Sequence, residues 1–400
     1  MDLNAQAAPP LALYLHFPWC VRKCPYCDFN SHTLHGELPQ QAYLDALLAD
    51  LDAQLPRVGA RPIVSLFLGG GTPSLFTPDA LGRLFAGLRA RTAITPDAEI
   101  TLEANPGTIE RGRFADYRAA GINRVSLGAQ SFSAQMLERL GRIHSTQDTY
   151  TAVEELHAAG LANFNLDLMY ALPGQDLDGA LSDLRAAIAL QPAHISHYQL
   201  TMEPGTVFGG RPPAGLPDDD LSYGMQLACQ HELALAGYAQ YEISAYARAG
   251  AQCAHNLNYW RFGDYLGVGA GAHGKLTHTT ASASGKPGVA IVRTVREREP
   301  RRYLARGSGD APPTTTVPSA DLPFEFMMNA LRLVDGFEES LFETRTGLAF
   351  SAAAGPLTRL TGRGLMESDA GSPRMWRPSE LGRRFLNDTI AEFLPTRPGA

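Results

Sequence analysis

Six short apolar segments recur at intervals over the first half of the chain, beginning at Leu11, Ile63, Glu99, Arg124, Asn163 and His194. Between them lie longer segments whose apolar residues repeat with a period near 3.6, as in an amphipathic helix. These segments are QAYLDALLADLDAQL, PDALGRLFAGLRA, FADYRAAG, TYTAVEELHAAG and LDGALSDLRAAIAL. Alternation of strands and helices at this spacing predicts a parallel sheet with helices packed outside it.

The predicted fold is therefore of the α/β class. Six strand-helix units are fewer than the eight that close a full barrel, so we expect an open, partial (β/α)6, TIM-like barrel. In such a fold the ligand site lies at the carboxyl ends of the strands. Residues unusual for strands cluster where those ends are predicted, at 69–73, 103–106, 130–131 and 167–174.

The composition changes in the second half of the chain. A helical stretch over 221–235 leads into the aromatic, glycine-rich segment HNLNYWRFGDYLGVGAGAHG, and residues 277–318 are rich in Ala, Ser, Thr, Gly and Pro. That richness predicts a loosely ordered linker or extension. The expected division is a tail (1–10), the barrel (11–276), the linker (277–318), a small, mainly helical, winged-helix-like domain (319–390) and a second tail (391–400).

Charge and hydropathy limit the classes of partner. The 400 residues are 44% hydrophobic and carry a net charge of -7 without a basic run, so a nucleic-acid partner is disfavoured. The first ten residues, MDLNAQAAPP, lack the basic and apolar parts of an export signal, and no apolar run approaches the length of a membrane span. We therefore expect a cytoplasmic protein without a membrane span.

Three of the five cysteines lie within eight positions, at Cys20, Cys24 and Cys27. Three thiolates can ligate three irons of a [4Fe-4S] cluster and leave the fourth iron open, where the amino and carboxylate groups of S-adenosylmethionine (SAM) can bind. The spacing alone leaves two alternatives. The first is a Cys3His zinc site completed by His16 or His32, and the second is a set of unligated, reactive thiols.

The segment YLHFPWCVRKCPYCDFNSH resembles the radical SAM superfamily, in the branch that holds oxygen-independent coproporphyrinogen III oxidases and HemW-type heme chaperones. Further matching segments follow in the same order: LGGGTPS, LEANPGT, SLGAQSF, LGRIHS, DLMYALPGQ and YQLTMEPGT. The resemblance implies a [4Fe-4S] cluster on the three closely spaced cysteines, with SAM bound beside it.

The resemblance also implies a set of SAM contacts. Glycines would let the main chain approach the methionyl ammonium, carboxylates suit ammonium and hydroxyl groups, and arginine suits a carboxylate. Taken singly, the glycines could serve only as turns, the glutamate as a cap and the arginine as a surface residue. GGGTPS lacks the lysine of a phosphate-binding loop, which argues against a nucleotide triphosphatase. The residues implied are Tyr14, Tyr26, Gly70, Gly71, Thr72, Glu103, Gln130, Arg142 and Asp167.

Three features favour the chaperones over the oxidases. Phe29 stands where the oxidases of this family carry a fourth cysteine, and about ten residues precede the first strand where the oxidases carry an extension. The segment from His255 to Trp260 fits the HNxxYW pattern of the HemW group, which implies that His255 anchors heme. Tyr259 and Trp260 would offer flat apolar surface to the porphyrin. From residue chemistry alone, all three could instead be ordinary core residues.

The function implied is that of a heme chaperone, which takes up heme and transfers it to apo-hemoproteins on a scaffold that binds [4Fe-4S] and SAM. SAM cleavage would be a side or regulatory activity, proteins that donate heme would be further partners, and homodimerisation is compatible with the resemblance. The alternative is an oxygen-independent coproporphyrinogen III oxidase, which converts two propionates to vinyl groups.

Overall fold

Strands at the six predicted places form the centre of one large sheet in the computed structural model, which describes residues 8–108, 113–281, 287–305, 310–369, 371 and 374–395. The strands are β1 (Leu11–Phe17), β2 (Trp19–Cys20), β3 (His32–Thr33), β4 (Ile63–Gly70), β5 (Ile94–Ala104), β6 (Arg124–Gln130), β7 (Phe164–Tyr170), β8 (His194–Gln199), β9 (Ala239–Glu242), β10 (Ala245–Ala247), β11 (Asp264–Val268), β12 (His273–Ala281), β13 (Pro287–Val295), β14 (Thr314–Thr316), β15 (Phe337–Glu338), β16 (Met366–Ser368) and β17 (Met375–Pro378).

Helices follow most of the central strands, as the 3.6-residue period predicts. They are α1 (Gln40–Gln54), α2 (Pro78–Arg89), α3 (Arg113–Ala120), α4 (Ala134–Arg139), α5 (Thr146–Ala158), α6 (Leu177–Ala189), α7 (Val207–Gly210), α8 (Asp219–Leu235), α9 (Ala254–Trp260), α10 (Pro300–Ala305), α11 (Leu322–Ala330), α12 (Glu339–Thr346), α13 (Ser351–Gly362), α14 (Glu380–Arg384) and α15 (Leu386–Ala391). Their starts are encoded locally. For example, Ser145 and Asp148 form a reciprocal capping box at the start of α5.

The order of the strands confirms the partial (β/α)6 barrel. The twelve-stranded sheet runs β14-β13-β12-β11-β1-β4-β5-β6-β7-β8-β10-β9, and the pairs from β1 through β4, β5, β6 and β7 to β8 are all parallel. Strand β11, which the sequence did not predict, also pairs in parallel with β1, on its other side. The glycine-rich segment that contains β11 therefore becomes part of the barrel sheet.

The expectation of a loosely ordered segment over 277–318 is wrong for the residues that the structure describes. Strands β12 and β13 pair in antiparallel register from His273 with Val295 to Ala281 with Pro287, and β14 pairs with β13. The reason is that Thr-rich and Val-rich stretches form strands readily once a neighbouring edge is available, and β11 supplies that edge. The domain boundary near Pro318 stays a prediction.

The carboxyl-terminal region agrees with the mainly helical, winged-helix-like module. Helices α11 to α15 surround the small sheet β15-β17-β16, and a separate apolar cluster contains Phe326, Phe337, Phe342 and Trp376. This cluster is joined to the barrel side because Phe262 packs edge-on against Phe326, with ring centroids 5.7 Å apart. Within the part of the chain that is described, no helix is both long and apolar enough to cross a membrane.

A buried ionic group ties β11 to β12. Asp264 lies 2.9 Å from the Arg61 guanidinium and 3.1 Å from the Lys275 ammonium, and the side chains of Asp264 and Lys275 are almost completely buried. Although burial opposes it, Lys275 and Arg61 lower the pKa of Asp264 below its ordinary value. The carboxylate therefore compensates a cation that has no access to water.

We predict that Asp264→Asn lowers the free energy of unfolding by about 3 to 5 kcal/mol, because it leaves Lys275 as an uncompensated buried cation. Urea unfolding followed by circular dichroism measures the change. Glu232→Gln is the matched control, since Glu232 forms an exposed pair with Arg185 and the substitution should change stability little. Equal effects of the two substitutions would contradict the prediction.

Candidate functional site

The three closely spaced cysteines line a cavity of about 840 Å³ at the carboxyl ends of the barrel strands. We call it the cysteine cavity. Most of the residues predicted to bind SAM line it as well, on the ends of four neighbouring strands and on the loops that follow them. They are Tyr26, Gly70, Gly71, Glu103, Gln130, Arg142 and Asp167. The structure thus brings together side chains that are more than a hundred residues apart in sequence.

Each of the three cysteine sulfurs has a hydrogen-bonding neighbour. The Thr72 hydroxyl donates to Cys20 at 3.4 Å, the Arg142 guanidinium donates to Cys24 at 3.6 Å, and Cys27 lies 3.6 Å from a serine hydroxyl at position 31. Donors directed at sulfur stabilise thiolates and tune an iron-sulfur cluster. The donor set therefore fits three thiolate ligands on an open cavity. Sequence analysis missed the serine, which follows Cys27 by four positions.

His16, the first histidine considered for a Cys3His zinc site, is a poor candidate for the fourth ligand. His16 Nδ1 lies 3.0 Å from the Tyr14 hydroxyl and Nε2 lies 2.9 Å from the Asn30 carbonyl oxygen, so both ring nitrogens are engaged. Burial lowers the pKa of His16 to about 4. Among the described residues, no three His, Cys, Asp or Glu side chains are grouped so as to hold a single metal ion.

The two glycines at the end of β4, Gly70 and Gly71, are required by the protein's own packing. Gly70 has a φ of +109°, and a Cβ atom there would lie 2.4 Å from the His16 ring. A Cβ atom on Gly71 would lie 2.6 Å from the Trp19 carbonyl oxygen. Their N–H groups already donate, from Gly70 to Glu103 at 3.0 Å and from Gly71 to the main chain at the end of β1 at 2.7 Å. The turn role is thus accounted for, and the predicted contact with SAM stays a prediction.

Two half-buried acids line the cysteine cavity. Burial and the neighbouring Asp167 raise the pKa of Glu103 to about 8. Burial also raises the pKa of Asp167, although its carboxylate accepts hydrogen bonds from Ser126 at 3.0 Å and Asn165 at 2.9 Å. Two carboxyl groups that share a cavity and resist ionisation together favour a cationic ligand.

Arg142 connects two of the cysteines through side chains. Besides its contact with Cys24, the guanidinium donates to the Asn105 side-chain oxygen, and the Asn105 amide donates to the Thr72 hydroxyl at 2.9 Å. Thr72 in turn donates to Cys20. Arg142 is therefore a half-buried residue of the site, not a surface residue of a helix. Asn105 was not singled out in the sequence, although it directly follows β5 within LEANPGT.

Tyr26 and Gln130 also line the cysteine cavity. Tyr26 lies between Cys24 and Cys27 and packs against Phe208, with ring centroids 6.4 Å apart. Gln130 has a φ of +67°, which few residues other than glycine adopt, at a point where the pairing of β6 with β7 shifts register. The irregular end of β6 is what directs Gln130 to the cysteine cavity.

A second cavity, of about 570 Å³, adjoins the first. We call it the aromatic cavity, because Tyr259, Trp260 and Tyr265 line it. Tyr14 also lines it and is absent from the lining of the cysteine cavity, which differs from its predicted contact with SAM. The reason is that the Tyr14 side chain turns toward His16. Four residues line both cavities: Asp28, Phe29, Gly70 and Glu103.

His255 lies beneath the aromatic cavity and does not line it. Its side chain is buried, with Nδ1 3.1 Å from the Ser65 hydroxyl and Nε2 2.9 Å from the Tyr259 hydroxyl. Burial and the Arg124 charge lower its pKa to about 3, and its ring stacks on Phe67 at 5.0 Å. This is the geometry of a hydrogen-bonded core histidine. Ligation of heme by His255 stays a prediction and requires one of these hydrogen bonds to break.

Comparison with known proteins identifies the family. The radical SAM superfamily matches residues 14–186, and the HemN C-terminal domain matches residues 317–385. The heme chaperone HemW of Escherichia coli is 48% identical over 96% of this chain and 98% of its own. The chain belongs to the HemW family of radical SAM proteins. HemW of Haemophilus influenzae is 47% identical over the same shares of the two chains.

Membership of the radical SAM superfamily implies a [4Fe-4S] cluster and SAM. Among solved structures, the coproporphyrinogen III oxidase HemN of Escherichia coli superposes with a TM-score of 0.79, covering 98% of this chain and 91% of that one, at 22% identity. At that identity the likeness shows the fold alone. The cysteine cavity is thus the part of this HemW-family chain where its residues fit the implied cofactors.

We predict that Glu103→Gln removes a pH dependence of stability. Because the pKa of Glu103 is raised to about 8 from its ordinary 4.5, its contribution is complete below about pH 4.5 and is lost as the pH rises through about 8. The wild type should therefore lose stability relative to Glu103→Gln across this window. Thermal unfolding of the apoprotein at several pH values measures it. Glu138→Gln, on the exposed side of α4, should follow the wild type; parallel profiles for Glu103→Gln would refute the assignment.

Proposed function

We propose that this protein binds heme in the aromatic cavity and transfers it to apo-hemoproteins, on a scaffold that holds a [4Fe-4S] cluster and SAM in the cysteine cavity. The observation that carries the proposal is the contact between the two cavities, which share four lining residues, in a chain that aligns with heme chaperones along nearly its whole length. A porphyrin in the aromatic cavity would lie next to the cofactors.

Different residues of the cysteine cavity would bind the cluster and SAM. Cys20, Cys24 and Cys27 would ligate three irons, and Glu103 and Asp167 would attract the cationic groups of SAM. When bound, a reduced cluster and SAM supply one-electron cleavage of a sulfonium bond, with formation of a 5'-deoxyadenosyl radical. We propose this chemistry as a side or regulatory activity.

The aromatic cavity has the chemistry that a heme requires. Tyr259 and Trp260 offer flat apolar surface, and the same lining contains arginine, whose guanidinium group suits carboxylates such as propionates. His255 supports this wall, because its Nε2 lies 2.9 Å from the Tyr259 hydroxyl. Direct coordination of heme by His255 is the competing arrangement.

The coproporphyrinogen III oxidase alternative has weaker support. This alternative rests on the fold that the chain shares with the oxidase HemN, and one fold can host more than one chemistry. Phe29, which stands at the position of the fourth cysteine of those oxidases, is 57% exposed and lines both cavities. An exposed phenyl ring at this junction suits contact with a flat apolar ligand and provides neither a thiol nor an acid.

The compartment, the heme donors and the oligomeric state are also proposals. We propose that the protein acts in the cytoplasm, receives heme from donor proteins and can form a homodimer. A net charge of -7 and the lack of a basic run in the sequence support partners other than nucleic acid.

We expect the anaerobically reconstituted protein to bind hemin and to pass it to an apo-hemoprotein such as apomyoglobin, which a shift of the Soret band reports. Incubation with SAM, a reductant and coproporphyrinogen III should leave the porphyrinogen unchanged, as judged by chromatography of the oxidised products. Formation of protoporphyrinogen would overturn the chaperone assignment in favour of the oxidase.

We also predict that Cys24→Ala removes the cluster, because only two thiolates then remain. Analysis for iron and acid-labile sulfide should find about four of each per wild-type chain and a large loss in the variant. Cys229→Ala is the matched control, since Cys229 is buried in α8, away from the cysteine cavity. Stoichiometric zinc without sulfide in the wild type would refute the cluster.

A further inference from the structure

The aromatic cavity offers only a few groups that can ligate heme iron. Axial ligands in heme proteins are most often imidazole, with thiolate, thioether and phenolate as the other common types. Among the described residues that line this cavity, the groups of these types are two imidazoles and three phenols, with one amine beside them. They are His16, His273, Tyr14, Tyr259, Tyr265 and Lys275.

Three of these groups already bond to other side chains. The Tyr14 hydroxyl and His16 Nδ1 lie 3.0 Å apart, and His16 Nε2 is engaged by the main chain. The Tyr259 hydroxyl lies 2.9 Å from His255 Nε2. Each of them would have to lose a buried hydrogen bond before it could bind iron.

Two further groups interact with charged side chains. The Tyr265 hydroxyl accepts a hydrogen bond from the Arg293 guanidinium at 2.9 Å, and this contact would be lost if the phenol bound iron. The Lys275 ammonium is buried and lies 3.1 Å from the Asp264 carboxylate, and an ammonium has no free electron pair for a metal.

His273 differs from all the others. It is the first residue of β12, where its main chain pairs with Val295, and its side chain is exposed within the lining of the cavity. No hydrogen bond of its ring is found in the part of the chain that the structure describes. Burial together with the charges of Arg298 and Arg293 lowers the pKa of His273, so the imidazole is neutral near pH 7 and keeps a free electron pair.

Arg298 belongs to the same part of the cavity lining as His273. The Arg298 side chain is exposed and lines the same cavity, and no ion pair of its guanidinium is found among the described residues. Its main chain is fixed, because the Arg298 carbonyl oxygen accepts a hydrogen bond from the Asn30 amide at 2.9 Å. Arg293, in contrast, is committed to Glu325 and Tyr265.

We propose that His273 is the axial ligand of heme iron and that Arg298 binds a heme propionate. This rests on the proposed function, heme binding in the aromatic cavity. The His273 imidazole donates an electron pair to the iron in place of a weakly bound water, and no redox step is involved. Tyr259 and Trp260 pack against the ring, and His255 keeps its hydrogen bonds as a positioning residue beneath Tyr259.

Hemin titration of the reconstituted protein tests the ligand. His273→Ala should weaken binding by about tenfold or more and remove the electron paramagnetic resonance signature of an imidazole ligand, and added imidazole should restore it. His273→Tyr should give the spectrum of a phenolate ligand. His278→Ala, on the same strand but outside the cavity lining, is the matched control and should behave as the wild type. His255→Ala should keep the imidazole signature.

The propionate contact has its own test. Arg298→Ala should weaken binding of hemin and leave binding of hemin dimethyl ester unchanged, because the ester lacks the carboxylates. Arg301→Ala, an exposed residue of nearby α10, should affect neither ligand. An equal loss for both ligands would overturn this part of the proposal.

The results for the wild type and the variants distinguish failure of the proposed iron ligand from failure of the proposed function. If the wild type binds no hemin, the proposed function fails. If the wild type binds hemin and His273→Ala keeps the wild-type affinity and spectrum, the function stands and this inference is wrong. The same holds if His255→Ala, and not His273→Ala, loses the imidazole signature.

Discussion

The parallel pairing of β1 with both β4 and β11 is the constraint on which the rest of the structure depends. Residues 11–15 of β1 bond to β11 on one side and β4 on the other, and Leu11, Leu13 and Leu15 are almost completely buried. The carboxyl ends of parallel strands meet at one edge of a sheet. The cysteine loop after β1 therefore lies between the glycines after β4 and the loop after β11, which leads to His273.

This arrangement makes Glu103 the electrostatic link between the two cavities. It lines both, lies near Asp167 and accepts the Gly70 N–H, and its pKa is raised to about 8 by burial and by Asp167. A charge placed in either cavity acts on the same carboxyl group, since little water screens it there. A cationic ligand beside the cysteines would favour the ionised form of Glu103. The negative charge of that form would also act on Tyr14, which lines the aromatic cavity.

Local patterns were sufficient to predict the barrel, because apolar periodicity and helix capping act over a few residues. The strands near Ile63, Arg124 and His194 lie where the sequence placed them. The partner of β11 and the strands over 277–318 were not predictable, because pairing with an edge depends on residues far away in sequence. Among the site residues, strand ends predicted Glu103 and Gln130, whereas Asn105 acts through a contact with Arg142 that no local pattern encodes.

The position of His255 follows from a local rule that the motif already contained. Residues four apart on a helix lie on one face, so His255 and Tyr259 on α9 are neighbours as soon as the helix forms, and their 2.9 Å contact is the result. Glu99 fixes the start of that helix by accepting the N–H groups of Ala254 and His255 at 3.1 Å. His255 packs on the sheet, where its ring stacks on Phe67 of β4 at 5.0 Å, and Tyr259, one turn further along the helix, lines the aromatic cavity together with Trp260. In the proposed heme site the free imidazole therefore comes from a different element, β12, as His273.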